Sequence, residues 1–229
     1  MVAHAIGTDD SKPQLTGALL RSDENETALV ALNGFQMAEK LIRDVVSPTP
    51  VQAIIPGRAL DIVASVLQNS EDPVNVTIGE NHALFSVNNL VISSLLINGA
   101  FPFNSAKALV KKAPSTTVDI QIDDVVGALE RCLLVAKDGA LTTNVVRVAV
   151  CSESMRLSAN STAVGNIQET VEARTQGDDL VIGFNGRFLS ALLKSSGAAQ
   201  MHCAYAGSLS AAVFTASEDY TAVLSPIRL

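Results

Sequence analysis

The chain contains no tryptophan, only two tyrosines and seven phenylalanines, so aromatic residues make up 4% of its 229 positions. Any sizeable core must therefore be aliphatic, and a hydrophobic share of 48% supplies one. Charged residues are sparse at 17%, a composition that excludes a disordered chain. The three cysteines (Cys132, Cys151, Cys203) share no Cys-x-x-Cys spacing, and each falls in an apolar run. They read as reduced core thiols, not as a disulfide frame or a zinc site. A formal charge of −7 argues against a broad basic surface for nucleic acid, though not against a local basic strip. The opening Met1-Val2-Ala3-His4-Ala5-Ile6-Gly7 lacks the basic and apolar regions of a secretion signal. No apolar run reaches the roughly 18 residues of a membrane span. The expectation is a cytoplasmic protein with no membrane partner.

Signals of catalysis are equally scarce. His4, His82 and His202 do not fall at metal-ligand spacing. Neither Gly-x-Gly-x-x-Gly nor a phosphate loop ending in Gly-Lys-Ser/Thr is present, and no Gly-x-Ser-x-Gly elbow offers a nucleophile. The carboxylate pairs Asp9-Asp10, Asp123-Asp124 and Asp178-Asp179 sit at turns or a helix start, where they act as caps or solvated charge. No cofactor, no metal and no enzymatic activity are expected. The alternative from another class is a small hydrolase on an unfamiliar α+β fold.

What the chain does have is a repeat. Ile54-Ile55-Pro56-Gly57-Arg58-Ala59-Leu60 and Ile182-Gly183-Phe184-Asn185-Gly186-Arg187-Phe188-Leu189 both read as a strand end, a Gly-Arg turn and a short amphipathic helix. Each is followed by three strand-like runs: Val74–Ile78, His82–Val87 and Leu90–Ile97 after the first, and Gln200–Ala204, Ser208–Thr215 and Tyr220–Leu224 after the second. The first helix is expected from Pro56 to Leu67, with Ala59, Leu60, Ile62, Val63, Val66 and Leu67 on one apolar face. Thr117–Ile122, a helix capped by Asp123 and running to about Lys137, and strands at Val145–Val150, Met155–Ala159 and Val164–Glu172 form a further βαβββ unit. Before Ile54, strands at Leu15–Leu20, Thr27–Leu32 and Phe35–Leu41 stand without a preceding helix. The fold class is α+β: repeated βαβββ units with helices on one face of antiparallel sheets. Two domains are expected, 1–105 and 115–229, joined by an irregular connector from Gly99 to Pro114 that includes Lys111-Lys112.

In this order, several segments resemble the bacterial DNA polymerase III beta sliding clamp family, in its second and third domains. They are Leu15-Thr16-Gly17, Ile54-Ile55-Pro56-Gly57-Arg58, Asn98-Gly99-Ala100-Phe101-Pro102, Arg131 within its helix, Val146-Arg147-Val148, Leu157-Ser158-Ala159-Asn160, Ile182-Gly183-Phe184-Asn185 and the ending Ser225-Pro226-Ile227-Arg228-Leu229. Relative to that family, the strand and helix that open its second domain, and its first domain, have no counterpart here. The resemblance implies a DNA-clamp fold and a processivity factor of the replicative polymerase, non-catalytic, with helices toward duplex DNA and sheets outward.

The resemblance also implies a pocket between the two domains that takes short peptide motifs of the polymerase III alpha subunit, the clamp loader and other clamp-binding proteins. By position it is lined by Leu15, Gly34, Met37, Pro102, Asn185, Phe188, Ser208, Ser210, Val223, Leu224, Pro226, Ile227, Arg228 and Leu229. The residues alone allow a second account of the tail, as the end of a last strand packed on its own core. Gly34-Phe35-Gln36-Met37 stands where the family carries cationic residues, and Ser225 replaces a hydrophobe. The DNA-facing candidates are Arg58, Arg131, Arg187, Lys137 and Lys194, with Arg58 offset by Asp61 and Arg131 by Glu130. A solvated helix face accounts equally well for any one of them, and a paralogue that docks peptide without encircling DNA is the alternative function. Full-length family members form ring dimers through an edge that corresponds here to Leu134, Val135 and Ala163–Glu169. This chain is expected to be a monomer.

Overall fold

The computed structural model describes residues 1–67, 72–110, 112–136 and 144–229, so Lys111 and Lys137 lie outside the described residues. Two compact units emerge, Val2–Asn104 and Ser105–Leu229.

In the first unit, β1 (Gly17–Ser22), β2 (Thr27–Leu32), β3 (Gln36–Ile42) and β4 (Val51–Pro56) pair antiparallel in the order β3-β2-β1-β4. The β1–β2 turn is closed by Asp23, whose Oδ1 accepts the Asn25 and Glu26 amides at 2.8 and 3.1 Å. Asn33 does the same between β2 and β3, accepting from Phe35 and Gln36 at 3.1 Å each, while Gly34 takes φ 90°. Leu15 belongs to a 3-10 turn, Pro13–Leu15, and not to β1 as its apolar neighbours suggest. Helix α1 (Gly57–Leu67) leads to β5 (Asn75–Ile78), β6 (His82–Val87) and β7 (Leu90–Leu95), a three-stranded sheet in sequence order. Ala59 and Val63 of α1 bury against Ile55, Ala83 and Phe85, which ties the helix to both sheets. Ile62 and Val66, expected on that face, are 45% and 39% exposed. The buried stripe is narrower than the apolar one.

Where an irregular connector is expected, the chain forms a helix, α2 (Phe103–Val110). Pro102 precedes its first turn, where a missing N–H does no harm, and Ala106, Lys107 and Ala108 favour the helix by propensity.

The second unit carries β8 (Thr116–Gln121), α3 (Ile122–Ala136), β9 (Val145–Cys151), β10 (Ser154–Ser161) and β11 (Gly165–Gly177). There follow β12 (Leu180–Asn185), α4 (Gly186–Ser195), β13 (Gln200–Tyr205), β14 (Ala212–Ser217) and β15 (Tyr220–Leu224), so both βαβββ repeats are present. Their strands form one antiparallel array in the order β12-β9-β10-β11-β8-β13-β14-β15. Strand β11 spans the array's middle by changing partner: Gly165 to Glu172 pair with β10, and Ala173 to Gly177 with β8. Alternation places Val118, Ile120, Val146, Val148, Met155 and Leu157 inside, beneath Val125, Ala128, Leu129 and Cys132 of α3 and Leu189, Leu192 and Leu193 of α4. Four aromatics are buried here: Phe184, Tyr205, Phe214 and Tyr220. Phe184 and Tyr205 both meet Phe214 edge-on, with centroids 6.3 and 6.5 Å apart.

Two local expectations change. Helix α3 starts at Ile122, so Asp123 and Asp124 occupy its first turn, favouring the positive helix end instead of capping it. Strand β14 starts at Ala212. The residues before it turn at Gly207 (φ 124°), with Ser210 N donating to Gly207 O at 3.2 Å.

Candidate functional site

The segment after β15 is not a loose end. Val223 and Leu224 are 2% and 0% exposed, held in the β14–β15 ladder opposite Val213 and Ala212. Beyond them the tail returns to β12, where Ile227 N donates to Gly183 O at 2.8 Å and the two residues form an isolated antiparallel bridge. Ser225, Pro226 and Ile227 are half-buried, while Arg228 and Leu229 are exposed. The tail is therefore a short continuation of the sheet across the outer edge of β12. It leaves polar and apolar side chains on display.

Next to it stands the start of α4. Asn185 is its N-cap: Oδ1 accepts from Arg187 N at 3.0 Å and Phe188 N at 3.4 Å, satisfying two of the helix's orphan donors. Phe188 is half-buried one turn along. The structure thus gathers Asn185, Phe188 and the tail at one end of this unit. Ser208 is exposed and Ser210 half-buried in the turn before β14.

Of the residues matched in the N-terminal unit, Leu15 and Met37 are buried at 8% and 3%. Gly34 has open space where a side chain would stand, and Pro102 is exposed. Gln36 is buried and donates its Nε2 to His4 O at 2.7 Å, whereas Phe35 is 63% exposed. Of the neighbours Phe35 and Gln36, only the aromatic one reaches solvent.

The helix cations divide into two kinds. Arg131 donates Nε and Nη2 to the two carboxylate oxygens of Glu169 at 2.9 and 3.0 Å, and Lys194 Nζ meets Glu130 Oε1 at 2.6 Å. These bonds hold both carboxyls below the usual carboxylate range and raise the Arg131 guanidinium further. Arg131 is thus offset by Glu169, not by its neighbour Glu130, which reaches across to α4. Arg58 and Arg187 are exposed at the second positions of α1 and α4. Arg187 lines a shallow groove between α3 and α4 with Glu130, Leu133, Ser190, Ala191 and Lys194. Among the described residues no three His, Cys, Asp or Glu side chains gather as a metal site, and no helix is long and apolar enough to cross a membrane.

Sequence reasoning missed Gly183 as a site residue. Its signal was available: a glycine inside an apolar strand often marks a close backbone approach. Glu169, the partner of Arg131, left no such signal.

Paired βαβββ repeats, with helices on one face of antiparallel strands, define a DNA-clamp fold. Solved structures agree: the DNA polymerase sliding clamp from Bacillus subtilis superposes with a TM-score of 0.92 at 22% identity, over 100% of this chain and 60% of that one. The clamp from Pseudomonas aeruginosa gives 0.90 at 22% identity, over 100% and 62%. Residues 1–103 match the family described as DNA polymerase III beta subunit, central domain, and residues 107–228 match its C-terminal domain. The chain belongs to the DNA polymerase III beta subunit family. Its curated relatives include the beta sliding clamps of Bacillus subtilis strain 168, 25% identical over 229 residues, and Staphylococcus aureus strain N315, 26% identical over 228. The matches cover 98% of this chain, which spans about 60% of the length of those relatives.

Proposed function

We propose that the chain works as a sliding-clamp module: a non-catalytic platform that holds duplex DNA loosely and docks short segments of replication proteins. The observation that carries this reading is the match of both halves of the chain to consecutive domains of one family whose curated relatives are beta sliding clamps. The tail supports the docking half. A linear peptide binds best where a surface is already ordered, because the site then loses little entropy on binding. A backbone bridge from Ile227 to Gly183 orders such a surface beside Phe188. The partners assigned by this reading are the polymerase III alpha subunit, the clamp loader and other proteins that carry the same short motif, in the cytoplasm. Arg58 and Arg187 supply the DNA-facing charge, through phosphate contacts that are indifferent to sequence and weaken with salt.

A labelled peptide with Gln, Leu and Phe anchors, titrated against the full chain and a chain lacking Ser225 to Leu229, tests the docking. Binding to the full chain and loss on truncation is the expected result; equal affinity for both refutes it. Retention on circular but not linear duplex DNA tests encirclement. A second reading, peptide docking without encirclement, is favoured by the ion pairs that occupy Arg131 and Lys194 and by the charge of −7. It expects peptide binding with no such retention.

A further inference from the structure

Gly183 lies in β12 between Ile182 and Phe184, both 0% exposed and directed into the core. It therefore faces the opposite side of the sheet, where its register partner is the exposed Arg147. Yet Gly183 is itself buried, because the tail lies on it. A Cβ built at this position would stand 2.7 Å from Ile227 O and 2.8 Å from Leu229 Cδ2. Leu229 is an end side chain that can swing away. The Ile227 carbonyl is backbone and cannot move without taking the tail with it.

Two alternative reasons for a glycine here fail. The first is conformation: Gly183 is not among the positive-φ residues, so its backbone suits any amino acid. The second is the bridge as such. The first unit has a counterpart bridge, from Ile54 of β4 to Ile97 after β7, with Ile97 N donating to Ile54 O at 2.9 Å. It forms with a full β-branched side chain at Ile54. What distinguishes Gly183 is that the chain folds over its face after pairing with it.

We propose that Gly183 is the positioning residue of the docking surface: its missing side chain is the seat on which Ile227 and Leu229 rest, and this fixes the tail for a partner peptide. The inference deepens the docking reading above and rests on it for its functional half. An alanine at Gly183 should unseat the tail and weaken binding of the Gln-Leu-Phe peptide at least tenfold. In a chain that ends at Pro226, the same substitution loses all three of its nearest neighbours, which belong to Ile227 and Leu229. There it should leave the melting temperature unchanged or raise it, since Gly→Ala at a compatible backbone position restricts the unfolded chain.

Hydrogen exchange at the Ile227 amide reads the seating directly, and release of Leu229 and Arg228 by a carboxypeptidase reads it independently. Gly183→Ala in the full chain should lose that amide's protection and speed the release. Loss of protection while the unaltered chain itself shows no peptide affinity overturns the docking reading and leaves the seat in place. Protection of Ile227 as in the unaltered chain overturns the seat, whatever the peptide does. If Gly183→Ala fails to fold, the chain ending at Pro226 decides. Folding there supports the seat, and failure there as well assigns the fault to the sheet and refutes it.

Discussion

The Arg131 guanidinium and the Glu169 carboxylate meet in a forked pair, Nε on Oε1 and Nη2 on Oε2, which binds the outer side of α3 to the part of β11 that pairs only with β10. The folded Glu169 carboxyl titrates below its unfolded value, first through this hydrogen bonding. Its contribution to stability is therefore present above the unfolded value and disappears as pH falls through the folded one. Glu169→Gln should melt lower than the unaltered chain at neutral pH, and the two melting curves should converge on acidification. High salt should narrow the gap as well, because both side chains reach solvent. A gap that persists in acid would assign the effect to something other than this pair.

Asn185 is a cap before it is anything else. Asn185→Ala should cost about 0.5–2 kcal/mol in urea unfolding, as loss of a side-chain acceptor at a helix N-terminus does. Asn185→Asp keeps an acceptor and should recover most of that. If peptide affinity falls with alanine and returns with aspartate, Asn185 acts on the peptide through α4. A fall in both variants identifies a direct amide contact.

Phe184 is fully buried and edge-on to Phe214, in a chain with few aromatics to spare. Phe184→Ala should destabilise by about 3–5 kcal/mol through lost transfer and the cavity left behind. Leu209, 68% exposed in the turn before β14, is the contrast. Leu209→Ala should stay within about 0.5 kcal/mol in the same urea titration.

The thiols should separate by burial. Desolvation pushes Cys203 up to about 12 and Cys132 up to about 11, so neither offers a thiolate near neutral pH. Cys151 is only half-buried at the end of β9. Iodoacetamide on the native protein should label Cys151 first, with all three modified in denaturant, as peptide mass mapping would show. Early labelling of Cys132 would mean that α3 opens locally.

Strands such as His82–Val87 and Tyr220–Leu224 were legible to the residue, because alternation and a two-residue turn leave one register. Helix α2 was hidden by its brevity: eight residues behind Pro102 make about two turns, too short a run to declare a period. The run from Ser208 alternates like a strand, but the turn at Gly207 takes the backbone first. The apolar stripe of α1 is wider than its buried one, because periodicity marks which residues share a face and not how far the neighbouring sheet covers it. Site legibility broke along a similar line. Asn185 and the tail could be placed by position, but ion-pair partners are set by tertiary distance. Arg131 turned from its neighbour Glu130 to Glu169, a residue 38 positions away.

The strand order of the second unit has a consequence for how such a molecule can be divided. The first strand of the second repeat, β12, has its ladder with β9 of the first, and the first strand of the first repeat, β8, stands between β11 and β13. Each repeat thus completes its sheet with the other's opening strand, as partners do in a domain-swapped dimer. Here the two partners share one polypeptide. Cutting the chain in the turn at Asp178 and Asp179 would yield fragments that each lack a strand and expose the edge it covered. Such halves should be insoluble when expressed singly and recover the sheet when co-expressed, so the unit's smallest foldable piece is the pair.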